Sequence, residues 1–145
     1  MTLVRNASFE ELDARTGYLL WQLRESVFVV EQHCAYAELD GRDLEPGTRH
    51  LWVEQAGRPV GYLRVLVDPD GMRLGRVLVA PGHRGRGIAG RLVRAARDVV
   101  GDRPCRLDAQ AHLVDWYRGQ GFETCGAEFL DDGIPHVPMK AVTSG

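Results

Sequence analysis

Lysine is almost missing from this chain: Lys140 is the only one, and arginine carries nearly all the positive charge. Cysteine is scarce as well. Cys34, Cys105 and Cys125 form an odd, scattered set, whereas a zinc site needs clustered ligands and a disulfide scaffold a denser, usually even count. Reduced thiols are therefore expected. The five histidines (His33, His50, His83, His112 and His136) lack metal-ligand spacing, so no metal is expected. No apolar run approaches the ~20 residues of a membrane-spanning helix. Residues 1–5 carry no apolar core of a signal peptide. The expectation is a cytoplasmic protein with no membrane partner. A net charge of −2 also lacks the basic excess of a nucleic-acid binder, and no nucleic-acid partner is expected.

What is present fits one globular domain over residues 1–145, with 44% hydrophobic and 26% charged residues, no repeat and no linker. Residues 2–8 read as a strand. Ser8 or Asp13 can cap a following helix, whose apolar stripe Leu20, Leu23, Val27 and Val30 has helical spacing. Residues 32–49 form a long polar stretch with Asp40, Gly41, Asp43, Pro46 and Gly47, and long loops are often functional. Strands over 50–54 and 60–67, and a third running from the turn Asp68-Pro69-Asp70-Gly71 through Val79, are joined by tight turns, which requires an antiparallel meander. An amphipathic helix follows, burying Ile88, Leu92, Val93, Ala96 and Val100. Residues 103–108 enter after this crossover and should run parallel to the preceding strand. A short helix over 111–118 and a closing antiparallel pair, 122–129 with 136–142, complete an α+β domain whose sheet is mixed and mostly antiparallel. Residues 143–145 read as a frayed tail.

Between the third strand and the amphipathic helix lies Arg84-Gly85-Arg86-Gly87-Ile88-Ala89-Gly90. Glycines let backbone N–H groups approach a ligand, and a helix N-terminus favours anions, so the loop reads as a pyrophosphate receptor. Its G-x-G-x-x-G spacing does not make a dinucleotide fold, because five residues separate the strand from Gly85 and a meander precedes it. No Gly-Lys-Ser/Thr follows, which excludes a P-loop.

The pattern Arg84-x-x-Gly87-x-Ala89 resembles the acetyl-CoA motif of the GNAT N-acetyltransferase superfamily. Trp116-Tyr117-Arg118-Gly119-Gln120-Gly121-Phe122 is similar to that superfamily's aromatic-Tyr-x-x-x-Gly-Phe element, and the order of elements matches across almost the whole chain. A narrower likeness, to the ElaA-like branch, rests on Leu23-Arg24, on Val27-Phe28-Val29-Val30-Glu31-Gln32, and on Asp40-Gly41-x-Asp43. It continues in Ala109-Gln110-Ala111-His112-Leu113 and Asp132-Gly133-Ile134-Pro135-His136. In one respect the chain departs: many members carry Asn seven residues before the tyrosine, where this chain has Gln110, whose amide can still hydrogen-bond.

The resemblance implies a GNAT-like fold, acetyl-CoA as cosubstrate, and transfer of its acetyl group to a primary amine by direct attack. Arg84, Gly85, Arg86, Gly87, Ile88, Ala89 and Gly90 would cradle the pyrophosphate, mainly through backbone N–H groups. Val77, Leu78 and Val79 would bind the pantetheine arm like an added strand, where their strand diverges from the one near Leu107. An N–H near Leu78 or Val79 would stabilise the oxyanion, and Gln110 would also touch the cofactor. Tyr117 would be the general acid that protonates the leaving thiolate. Glu31, Gln32, Asp40 and His136 are candidates for the acceptor site, and the base stays open among Glu31, Asp40, Asp43, His50, His112 and His136. The acidic residues Glu38, Asp40, Asp43 and Glu45 hint at a cationic acceptor, and the resemblance allows a homodimer. Two rivals share the loop: a non-catalytic coenzyme A-binding module, and an acyltransferase with a different donor, such as an acyl-homoserine-lactone-type synthase. A cysteine-based double displacement ranks below direct attack, since no cysteine stands beside an activating base in sequence.

Overall fold

The computed structural model describes residues 3–32 and 38–142. Thr2, the tail at 143–145, and His33 and Cys34 lie outside the described residues. Among the described residues eight strands form one sheet: β1 (Val4–Ala7), β2 (Arg49–Gln55), β3 (Arg58–Asp68), β4 (Gly71–Val79), β5 (Cys105–Gln110), β6 (Phe122–Thr124), β7 (Phe129–Asp131) and β8 (Ile134–Ala141). Their order is β1-β2-β3-β4-β5-β8-β6, with β7 also on β8. Every pairing is antiparallel except β4 with β5. The mixed, mostly antiparallel sheet flanked by helices is the α+β architecture read from the sequence.

Apolar residues alternate across β2 and β3, and each face carries its own helices. Leu51, Val53, Leu63 and Val65 pack under α2 (Ile88–Val100), whose Ile88, Leu92, Val93, Ala96 and Val100 are all buried. The short α3 (Val114–Gly119) adds Tyr117 to the same face. Trp52, Tyr62 and Leu78 point to the opposite face, where α1 (Ala14–Arg24) contributes Leu20. Gly61 sets how closely α2 approaches: a Cβ there would lie 2.6 Å from Ile88 Cγ2. Asp13 caps α1 by accepting from the Thr16 N–H at 2.7 Å, and Ser8 belongs to a preceding 3-10 turn, Phe9–Glu11.

Two elements depart from the expectations. Beyond α1 the chain winds wider, in a π-helical stretch Glu25–Glu31, with Gln32 N–H bonding the Val27 carbonyl five residues back. A wider turn moves the apolar stripe, so Phe28 is buried and Val30, placed in the core by a 3.6-residue period, is 63% exposed. The expected strand over 122–129 is two short strands. Pro138 on β8 lacks an N–H for the ladder, and Gly126 packs against its ring, so pairing lapses between Thr124 and Phe129. Among the described residues no helix is long and apolar enough to cross a membrane.

Candidate functional site

The site begins where two neighbouring strands part. β4 pairs with β5 only at Met72↔Cys105 and Arg73↔Arg106, after which β5 stays with β8 as far as Gln110↔His136. β4 keeps its pairing with β3 through a bulge. Arg64 faces Gly75 and Tyr62 faces Leu78, so Leu63 alone opposes Arg76 and Val77. Arg76 carries the strain of this bulge in a left-handed backbone, φ +54°. The parting opens a cavity of about 390 Å³ between the strands. Leu74 and Val77 of β4, Leu107 and Gln110 of β5, Gln32, Tyr117 and His136 line it. The edge of β4 that faces β5 has no strand beyond Arg73, which leaves main-chain groups for an extended ligand. Leu78 is buried towards α1 while Val77 and Val79 are half-buried, so this edge is offered by a strand fixed from behind.

Beyond Val79 the chain turns through Pro81–His83 and then Gly85 and Gly87, with φ of +79° and +78°. A Cβ at either glycine would meet nothing within 4 Å, so conformation and not crowding selects glycine there. Gly87 caps α2, and as in every helix the first N–H groups, here of Ile88, Ala89 and Gly90, lack intrahelical acceptors. The arrangement suits an anion. Arg86 is exposed beside it. The Arg84 side chain is otherwise engaged: its Nε–H donates to the Val79 carbonyl at 2.9 Å, and Nη1 and Nη2 reach Glu31 at 3.0 and 2.6 Å. The hydrogen bond from Arg84 holds the Glu31 carboxyl below its ordinary range. Two residues that sequence reasoning assigned to different ligands are thus joined to each other.

Tyr117 is 6% exposed, edge-on to Trp116 and Phe122 at centroid distances of 4.9 and 6.1 Å. Burial pushes its phenol up to about 12, which keeps it protonated. Gln110 donates to the Gln32 side chain at 3.4 Å across the cavity. His136 packs its ring on Phe129 at 5.9 Å, and its Nδ1 lies 2.8 Å from the Ile134 carbonyl oxygen.

Asp40 is elsewhere. It accepts from Arg64 at 2.6 and 2.9 Å, and that contact drives its carboxyl far below the usual range. Asp43 is buried and ion-paired with Arg24 at 2.7 Å and Arg64 at 3.1 Å. Burial alone would raise the Asp43 carboxyl, but the two guanidiniums outweigh it and lower it. Glu38 pairs with Arg24 and Arg76, and Glu45 with Arg42. The acidic stretch is therefore neutralised by arginines, and the hint of a cationic acceptor drawn from it is withdrawn. His50 is fully buried, with Tyr62 Oη 2.6 Å from Nδ1 and the Asp43 carbonyl oxygen 3.1 Å from Nε2, so both ring nitrogens are occupied. His112 is exposed and outside the cavity lining. Cys105 is buried in the core, where desolvation raises its thiol to about 11, and Cys125 is exposed between β6 and β7. Neither lines the cavity.

Sequence reasoning gave no role to Arg24 or Arg64, on which this network turns. Their signal was a cation inside an apolar pattern: Arg64 between Leu63 and Val65, and Arg24 one helical turn from Leu20. Such cations are buried only with partners, and the neighbouring acidic stretch supplies them.

The model of the Acetyltransferase (GNAT) domain matches residues 14–143. A UPF0039 protein of Mycobacterium tuberculosis is 49% identical over 147 residues, covering 98% of this chain and 94% of its own. Among solved structures, Escherichia coli ElaA superposes with a TM-score of 0.92 at 34% identity, covering 98% of this chain and 100% of that one. An acyl-CoA N-acyltransferase from Pseudomonas aeruginosa gives 0.90 at 37% identity, with the same coverages of 98% and 100%.

Proposed function

Since this chain belongs to the GNAT acetyltransferase family, in its ElaA-like branch, and is therefore an acyl-CoA-dependent N-acyltransferase, we propose that it moves an acetyl group from acetyl-CoA to a primary amine by direct attack in one cleft. The observation that carries this reading is the parting of β4 from β5 beside the α2 N-terminus, with Tyr117 facing the resulting cavity. A diphosphate fits the open, left-handed Gly85–Gly87 turn and the free N–H groups of α2; the pantetheine amides fit the edge at Val77, Leu78 and Val79, which β5 has left and where Arg84 already engages the Val79 carbonyl. Both attachments use main chain, so they depend little on which apolar side chains are present.

In this mechanism the cleft supplies proximity, and no acyl-enzyme is needed. An N–H of β4 near Leu78 or Val79 stabilises the oxyanion as nitrogen adds to the thioester carbon. Tyr117 then gives its proton to the departing sulfur. Burial keeps the phenol in its protonated, donating form. Giving that proton to a thiolate of ordinary pKa about 8.5 is uphill for so weak an acid, and the transfer is drawn forward as the nitrogen, made acidic by bonding to the acyl carbon, returns a proton to the phenol oxygen. Neither cysteine described is suited to an acyl-enzyme, one being buried with a raised pKa and both lying away from the cavity.

Calorimetry with acetyl-CoA, coenzyme A and longer acyl-CoA donors, followed by turnover on an amine panel, tests the reading. Micromolar binding and acetylation of at least one amine are expected. Heat with coenzyme A but no transfer to any amine would favour a binding module, and preference for a longer donor would replace acetyl with that group.

A further inference from the structure

An acceptor amine reaches the enzyme mostly as an ammonium, since alkyl amines titrate near pH ~10.4, and it must lose a proton before it attacks. Most candidate bases have other duties. Asp40 and Asp43 are ion-paired with Arg64 and Arg24, Glu31 is held by Arg84, both nitrogens of His50 are occupied, and His112 lies outside the cavity. His136 differs. It stands opposite Gln110 in the β5–β8 register and lines the same cavity as Tyr117.

Its Nδ1 lies 2.8 Å from the Ile134 carbonyl oxygen. A carbonyl only accepts, so Nδ1 carries the hydrogen of the neutral ring and Nε2 keeps its lone pair. Phe129, stacked on the ring at an interplanar angle of 26°, fixes its plane. We propose that His136 is the general base of the transfer and acts through Nε2. This rests on the function proposed above. Nε2 takes one proton from the ammonium, the freed nitrogen forms the C–N bond, and the C–S bond breaks as sulfur takes the Tyr117 proton. The second nitrogen proton restores the phenol, and the imidazolium releases its proton to water.

The other charged groups of the cavity fit this role. Asp131 and Asp132 line it and favour an arriving ammonium, whereas Asp108 is ion-paired with Arg73, and a carboxylate is the weaker base compared with an imidazole. Arg64, Arg73 and Arg76 also line it, each engaged by carboxylates: Arg64 by Asp40 and Asp43, Arg73 by Asp68 and Asp108, Arg76 by Glu38.

The test has two arms. NMR of 15N-histidine-labelled protein, with His136 assigned by its loss in His136→Asn, reads where the ring proton sits. A protonated Nδ1 and bare Nε2 are expected, and a proton on Nε2 overturns the proposal. His136→Asn keeps a donor near the Nδ1 position and removes Nε2, and His136→Gln is its counterpart at the other nitrogen. Steady-state kinetics of His136→Asn should give a fall in kcat of about 10²-fold or more. The acidic limb of the kcat/KM profile should vanish while the KM for acetyl-CoA stays within about twofold. An unchanged kcat and pH profile overturns the base role alone, whereas no calorimetric heat with acetyl-CoA overturns the function beneath it.

Discussion

Arg84 grips Glu31 through two nitrogens, at 3.0 and 2.6 Å, while its Nε–H reaches back to the Val79 carbonyl. One side chain thereby ties together the end of the π-helical stretch, the last residue of β4 and the loop that opens α2. The pair is nearly half exposed, so its worth to global stability is small, at most about 1 kcal/mol. Its effect falls on the loop. Glu31→Gln should leave Tm within about 3 °C of the wild type and raise the KM for acetyl-CoA several-fold. Repeating the kinetics at high salt, which screens exposed pairs, should narrow the difference between the two proteins.

Tyr117→Phe removes one oxygen and keeps the ring that packs on Trp116 and Phe122. Affinity for coenzyme A, measured by calorimetry, should be unchanged, and kcat should fall by about 10²-fold or more. Because burial holds the phenol at about 12, its own ionisation should produce no basic limb in the wild-type profile below about pH 10. A basic limb at lower pH that disappears in Tyr117→Phe would contradict the assignment.

How legible was this in the sequence? The meander, α2 and the glycine loop were readable because each rests on local rules: alternation, a 3.6-residue stripe, and turns that require glycine. Val30 was misread because the π-helical stretch keeps the residue types of an α-helix while changing the period, and no local signal marks the change. Asp40 and Glu31 looked like free acids because their partners are distant in sequence. Arg64 stands 24 residues from Asp40, and Arg84 stands 53 from Glu31. The pairing of a charge is a property of topology, which a linear pattern does not contain.

The contact of Gly61 with α2 gives a packing test. Gly61→Ala places a methyl group 2.6 Å from Ile88 Cγ2 and 3.2 Å from Leu92 Cδ1, so α2 must shift. Destabilisation by about 1–3 kcal/mol is expected from such overpacking. Ile88→Ala alone should cost about 2–5 kcal/mol. In the double variant the new methyl occupies space vacated by Ile88, so the loss measured by urea unfolding should be less than the sum of the two.

Arg24 is wholly buried between Glu38 and Asp43, with its guanidinium 5.1 Å from the Trp21 ring centroid. Arg24→Met is close in volume but takes a guanidinium from two buried carboxylates, leaving Asp43 to Arg64 and Glu38 to Arg76. Leaving a buried charge wholly uncompensated costs about 3–5 kcal/mol, and with these second partners in place the loss should reach at most that range. Urea unfolding of Arg24→Met should show that loss at pH 7, and part of it should be recovered in Arg24→Met combined with Asp43→Asn.

The dependence of stability on pH should show two falls below neutrality. Burial, outweighing the hydrogen bond to the Asp43 carbonyl, lowers the titration of His50 below its ordinary range. The folded state therefore keeps His50 neutral where the unfolded chain, titrating near pH ~6.5, already binds a proton. Its contribution is complete above about pH 6.5 and declines as pH falls from there towards the depressed folded value. The lowered carboxyls of Asp40 and Asp43 act later: their contribution is complete above the unfolded value of about pH 3.9 and fades below it. Denaturant midpoints between pH 8 and pH 3 should thus fall first below about pH 6.5 and again below about pH 4. His50→Gln should remove the first fall and leave the second, and a first fall that persists in His50→Gln would assign it to another group.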